Sequence, residues 1–140
     1  MKFQGNWICA QEFLNAPPQN VFRKETAPKS SFVHPEDRKN VHMLVRREFS
    51  LPAFSSAILH ITADDYYKLY VNGVFVAQGP TPGYYFHYYY NTIDLSSYLK
   101  EGENIIALDV YYQGLINRVW NSGDTVSYTH LSRRFPCTFG

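Results

Sequence analysis

The sequence predicts an all-β sandwich of jelly-roll type, and three observations carry that prediction. Apolar and polar residues alternate with period two in several short runs, Gly- and Pro-rich turns separate these runs, and only one short stretch has helical signals. The 140 residues fit one domain around one core, since domains cluster near roughly 100–150 residues. Apolar types make up 45% and charged types 18% of the chain. That balance buries enough surface to offset conformational entropy and excludes a disordered chain.

Taken in order, residues 1–42 carry Pro17-Pro18, Pro28 and Pro35 with scattered charge. They read as loops around one or two short strands, one of them near Asn6-Trp7-Ile8-Cys9. Val41 to Phe49 and Ala57 to Ala63 alternate as strands do, and the second run places Leu59 and Ile61 on one face with His60 and Thr62 on the other. Tyr66 to Val76 holds β-rich residues on each side of Asn72-Gly73. Both of those residues tolerate φ > 0, as a two-residue type I′ hairpin turn requires. Gln78 to Tyr85 contains Gly79, Pro80, Pro82 and Gly83 and reads as a loop leading into an aromatic strand, Tyr84 to Tyr90. Asp94 is placed to N-cap one or two helical turns through Ser96, Ser97, Tyr98 and Leu99, with Gly102 just past the end, where an αL residue is cheapest. Asn104 to Tyr112 is a strand whose more apolar face, Ile106, Leu108 and Val110, belongs in the core. The expected organisation is one sandwich domain over residues 1–124, with 1–42 irregular and 43–124 as the core. Residues 125–140, with Arg133-Arg134 and Pro136-Cys137, are expected to be an atypical tail, the truncated or frame-shifted end of a longer reading frame.

Several function classes lack their signature. Thirteen Lys and Arg against twelve Asp and Glu give +1, so no overall field steers the chain to phosphate backbones or anionic lipid. The first eleven residues lack an apolar signal region, and no run approaches the ~20 apolar residues of a membrane span, so a cytoplasmic protein is expected. Cys9 and Cys137 provide neither a disulfide framework nor a CxxC metal spacing and read as free thiols. His34, His42, His60, His87 and His130 show neither HxH nor HExxH spacing. No nucleophile elbow, phosphate loop or dinucleotide fingerprint is present. The carboxylates Asp64-Asp65 and Glu36-Asp37 are adjacent, and neighbours on a strand point to opposite faces. They cannot flank one bond at the ~5–9.5 Å separation of glycosidase chemistry, so a turn or solvated edge is expected for them. Glu101 and Glu103, around Gly102, read as solubilising turn residues.

The aromatic residues ask for more. Eight of the twelve tyrosines fall between Tyr66 and Tyr90. Sugar rings present apolar C–H faces that stack on such rings, while Tyr hydroxyls, Asn and His bond sugar hydroxyls. The competing reading is that the same rings fill a sandwich core. In the run Tyr84 to Tyr90 both faces cannot be core, so alternate rings face outward or meet a neighbouring domain. Nucleic acid is disfavoured: between Glu48 and Asn117 the only cations are Lys68 and Lys100, and stacking platforms without phosphate neutralisation lose the main source of affinity.

One family pattern is legible. Ile61-Thr62-Ala63-Asp64-Asp65-Tyr66-Tyr67-Lys68-Leu69-Tyr70-Val71-Asn72-Gly73, Gly79-Pro80, Tyr88 to Asp94, and Leu99-Lys100-Glu101-Gly102-Glu103-Asn104 follow one another in this order. Phe49 to Phe54, Gly114, Val119-Trp120 and Ser122-Gly123-Asp124 extend the pattern. Over half to two-thirds of its length the chain resembles the N-terminal accessory domain of bacterial α-L-rhamnosidases. The resemblance implies a galactose-binding-like β-sandwich. It also implies a catalytic site in a separate helical barrel, whose acidic residues this chain does not contain, so no catalytic residue is carried over. Some related domains bind rhamnose with calcium, but here the loop Ala77 to Pro82 offers no carboxylate, against the several hard oxygens calcium prefers.

The expectation is therefore a non-catalytic accessory domain of a rhamnosidase-like glycoside hydrolase, whose partners are the catalytic domain and a rhamnose-containing glycan. The candidate sugar contacts are Tyr84, Tyr85, His87 and Trp120 as exposed aromatics, with Asp64 and Asn72 as polar partners. The bland roles beside these are core packing for Trp120, a strand cap for Asp64 and a turn for Asn72. Two alternatives stay open, a purely structural docking module and a self-contained lectin.

Overall fold

The period-two runs become strands in the computed structural model, which describes residues 8–11, 19–20, 39–83, 88–116 and 129–131. Among these residues the strands are β1 (Gln19–Asn20), β2 (Val41–Leu51), β3 (Ile58–Ala63), β4 (Tyr66–Val71), β5 (Val74–Gly79), β6 (Asn91–Asp94), β7 (Gly102–Tyr112), β8 (Leu115–Ile116) and β9 (Thr129–Leu131). β2, β7, β4 and β5 form a four-stranded antiparallel sheet in that order. β6, β3 and β9 form a three-stranded antiparallel sheet, and β1 pairs with β8 in parallel.

Alternation along the strands builds one core between the two larger sheets. Leu59, Ile61 and Ala63 of β3 cluster with Tyr67, Leu69 and Val71 of β4 and with Ile106, Leu108 and Val110 of β7. Met43, Val45, Phe49 and Leu51 of β2 close the cluster from the sheet edge. The opposite faces of these strands carry His42, Leu44 and Arg46 on β2 and Lys68 on β4, all exposed. Two polar pairs lie on this outer face: His42 Nδ1 donates to Asp109 Oδ1 at 2.7 Å, and Arg46 pairs with Glu48.

The hairpin turn has the conformation its residues require, with φ of 51° at Asn72 and 83° at Gly73. Its tip is locked to the turn before β7 by two amides. Asn104, 1% exposed, donates from Nδ2 to the carbonyls of Lys100 (2.7 Å) and Gly102 (2.8 Å). Its Oδ1 accepts from Lys100 N–H (3.0 Å) and from Asn72 Nδ2 (2.9 Å). Asn72 Nδ2 also donates to the Tyr98 carbonyl, and its Oδ1 accepts from Ile105 N–H. All four bonding positions of the Asn104 amide are filled, so a buried polar group adds order instead of a desolvation penalty.

A second amide joins the other end of the hairpin to the small sheet. Tyr67, buried in the core, donates its hydroxyl to Asn91 Oδ1 at 3.0 Å. Gly79 makes room for that amide, because a Cβ there would come within 2.5 Å of Asn91 Oδ1. Its φ of 152° is a second reason for glycine.

Three expectations are corrected. The helical turns after Asp94 reduce to a single closed turn: Leu95 O accepts from Tyr98 N–H (2.9 Å) and Leu99 N–H (3.1 Å), and no helix is present among the described residues. β6 ends at Asp94 and β7 starts at Gly102, which leaves too few residues to repay helix nucleation. Leu95 and Leu99 instead turn inward together. The cap itself forms, with Ser96 N–H on Asp94 Oδ1 at 2.8 Å, and hydrogen bonding from the Ser96 side chain first and this backbone N–H second holds the Asp94 carboxyl below its ordinary pKa. The described part of the run Tyr84 to Tyr90 forms no strand, and the next strand, β6, begins at Asn91. Residues 88–90 have no regular structure, and Tyr84 to His87 lie outside the described residues. Ile8 and Cys9 are not in a strand. Cys9 packs against Tyr112 instead, whereas Asn6 and Trp7 lie outside the described residues. Within the stretch expected to be a tail, β9 pairs with β3.

Two predictions follow from these amides. Asn104→Ala strands buried backbone groups of Lys100 and Gly102 and is expected to lower stability by about 3 kcal/mol, read from urea unfolding. Burial raises the Tyr67 phenol pKa, with a smaller contribution from Tyr66. The unfolded chain ionises this group at lower pH than the folded one, so stability is present below about pH 10 and declines as pH rises above it. Tyr67→Phe should flatten that alkaline decline.

Candidate functional site

The short connection between β3 and β4 lines a polar hollow. Ala63, Asp64 and Asp65 form the floor of an open-sided hollow, and Pro80 to Gly83 with Tyr88 and Tyr89 form its walls. The hollow is shallow: apart from the space open to solvent it has room for about one water molecule. The two Gly/Pro-rich and tyrosine-rich segments meet here because β5 and β6 deliver them to the same end of the sheets, where Asn91 bonds Tyr67 beside Gly79.

The acidic pair is where the sequence expectation needs correction. A turn was expected and is present, but it is not a solvated edge: Asp64 is 3% and Asp65 6% exposed. Each carboxylate has its own donor. Tyr88 donates its hydroxyl to Asp64 Oδ2 at 3.2 Å, and Gln113 N–H donates to Asp65 Oδ2 at 2.8 Å. Asp65 N–H in turn donates to the Tyr111 carbonyl at 3.0 Å, so this turn is tied to the end of β7 from both sides. Burial and the Asp65 charge together raise the Tyr111 phenol pKa. Asp65 thus anchors the fold, while Asp64 holds a tyrosine hydroxyl at the wall of the hollow.

Of the six candidate sugar contacts, Asp64 and Asn72 are among the described residues. Tyr84, Tyr85, His87 and Trp120 lie outside the described residues. Asn72 sits at the hairpin tip with both amide protons engaged by Tyr98 and Asn104, whereas Asp64 lines the hollow. Residues not singled out from the sequence stand beside it. Tyr89 and Tyr90 are 49% and 42% exposed, and Tyr90 meets the His60 ring edge-on at 6.0 Å. The tyrosine run itself was the signal for them, but alternation could not say which rings face out, because residues 88–90 do not have strand geometry. Among the described residues, no three His, Cys, Asp or Glu side chains group as a metal site.

The anchoring role of Asp65 is measurable. Asp65→Ala removes a charge-assisted bond to a backbone N–H and should destabilise the protein by about 2 kcal/mol. Asp64→Asn keeps an acceptor for Tyr88 and should unfold close to the wild-type midpoint in the same denaturant titration.

No protein-family model matches the chain, and no curated protein matches it. Solved structures do. A GH78 family rhamnosidase of Bacillus sp. GL1 aligns over 94% of this chain and 12% of its own, at 25% identity and a TM-score of 0.69. An α-L-rhamnosidase from Aspergillus terreus aligns over 65% of this chain and 13% of its own, at 26% identity and a TM-score of 0.50. The chain thus spans about an eighth of the length of the solved proteins it matches. The likeness read from the sequence holds in three dimensions, and the chain is similar to a domain-sized part of α-L-rhamnosidases.

Proposed function

We propose that this chain is a non-catalytic accessory domain of an α-L-rhamnosidase-like glycoside hydrolase, a galactose-binding-like jelly roll that supports the catalytic domain and binds rhamnosylated glycan at the hollow beside Asp64. The observation that carries this reading is the alignment of nearly the whole chain to a small part of a rhamnosidase. The chemistry of the hollow supports it. Asp65 is committed to Gln113, and Asp64 shares the same turn, an arrangement suited to holding hydroxyl groups and not to flanking a glycosidic bond. Calcium has little to recommend it, because the wall from Pro80 to Gly83 supplies no carboxylate.

A specific observation favours the docking alternative as a second reading. On the outer face of the four-stranded sheet, Leu44 of edge strand β2 is 80% and Phe75 of edge strand β5 is 50% exposed, and a docked protein face would cover both.

The test is a calorimetric titration of the chain with L-rhamnose, with and without calcium, beside an assay on an aryl α-L-rhamnoside. Saturable binding at millimolar sugar, indifferent to calcium, and no hydrolysis are expected. Hydrolysis by this chain alone would contradict the accessory role. Absence of binding, together with self-association that Leu44→Lys abolishes in sedimentation experiments, would favour docking.

A further inference from the structure

We propose that the sugar site extends beyond the hollow along the outer face of the three-stranded sheet, where Tyr90, His60 and Thr92 hold a second sugar ring. This rests on the glycan-binding reading above and adds how much of a glycan the domain takes.

The strip is built from the fold upward. Leu59 and Ile61 of β3 face the core, so His60 between them faces outward. Its register partner on β6 is Thr92, and His60 Nδ1 and Thr92 Oγ1 lie at hydrogen-bond distance, 2.9 Å. That contact orients the imidazole and turns Nε2 into the ring atom available to a ligand hydroxyl. Tyr90 stands edge-on to the same imidazole, with an interplanar angle of 74°. An exposed flat ring beside a positioned imidazole and a hydroxyl is the combination that stacks a sugar face while bonding its rim.

Continuity with the hollow comes from Tyr89. It lines the hollow, its carbonyl accepts from Thr62 Oγ1 at 2.6 Å, and it precedes Tyr90 directly, about 3.8 Å away along the backbone. The second ring is thus placed on the residue next to one that lines the hollow. The next row of the strip, Ile58 opposite exposed Asp94, carries an acid and no Lys or Arg, which disfavours a phosphate-bearing ligand.

Calorimetry with L-rhamnose and with a rhamnosyl disaccharide tests the proposal. The disaccharide should bind about tenfold more tightly than the monosaccharide. Tyr90→Ala and His60→Ala should each remove most of that advantage while leaving L-rhamnose affinity and the unfolding midpoint unchanged, and Tyr90→Phe should retain it. Equal affinity for the two sugars in the wild type, or an advantage that survives both alanine variants, would overturn the second subsite while leaving the accessory-domain reading intact. If neither sugar binds, the glycan-binding reading falls and takes this inference with it.

Discussion

The Asn104 amide is the constraint on which the rest of this fold depends. It closes the turn that feeds β7, and through Asn72 it fixes the tip of the β4–β5 hairpin against the first residues of β7. β7 is bonded to both β2 and β4, so the register of three strands of the larger sheet is held near one side chain. Nothing about hydrophobic burial selects that register uniquely, because a slip of two residues keeps the same faces inward. A buried amide with every donor and acceptor engaged does discriminate, since a slipped register would leave it unsatisfied in the core.

The opposite end of the hairpin follows the same logic. Asn91 takes the Tyr67 hydroxyl beside a glycine that leaves it room, and Asp65 takes the Gln113 N–H. These contacts bring the β3–β4 turn, the wall after β5 and the start of β6 to one place. The hollow is a by-product of that convergence, lined by tyrosines because the segments that must meet there are rich in them. Neighbouring residues thus divide their contacts, with Asp65 holding the fold through Gln113 and Asp64 holding the Tyr88 hydroxyl at the edge of the hollow.

The same division separates the two outer faces. The four-stranded sheet presents Leu44 and Phe75 among polar pairs, a surface suited to another protein face. The three-stranded sheet presents Tyr90, His60 and Thr92, a surface suited to a sugar ring. Under the proposed function the first face serves docking and the second serves glycan.

By itself the sequence determined what depends on neighbours in the chain. Alternation put Leu59 and Ile61 on one shared face, assigned Ile106, Leu108 and Val110 to the core, and local signals assigned Asn72-Gly73 to a tight hairpin and Asp94 to a cap, because period-two alternation and positive φ are local properties. Only the tertiary structure decided what depends on distant partners. Asn72 became a lock because Asn104 arrives beside it from 32 residues away, and Asp65 became an anchor because Gln113 arrives from 48. The same reason turned an expected helix into a single turn: Leu95 and Leu99 answered to the core between two sheets and not to the propensity of the residues around them.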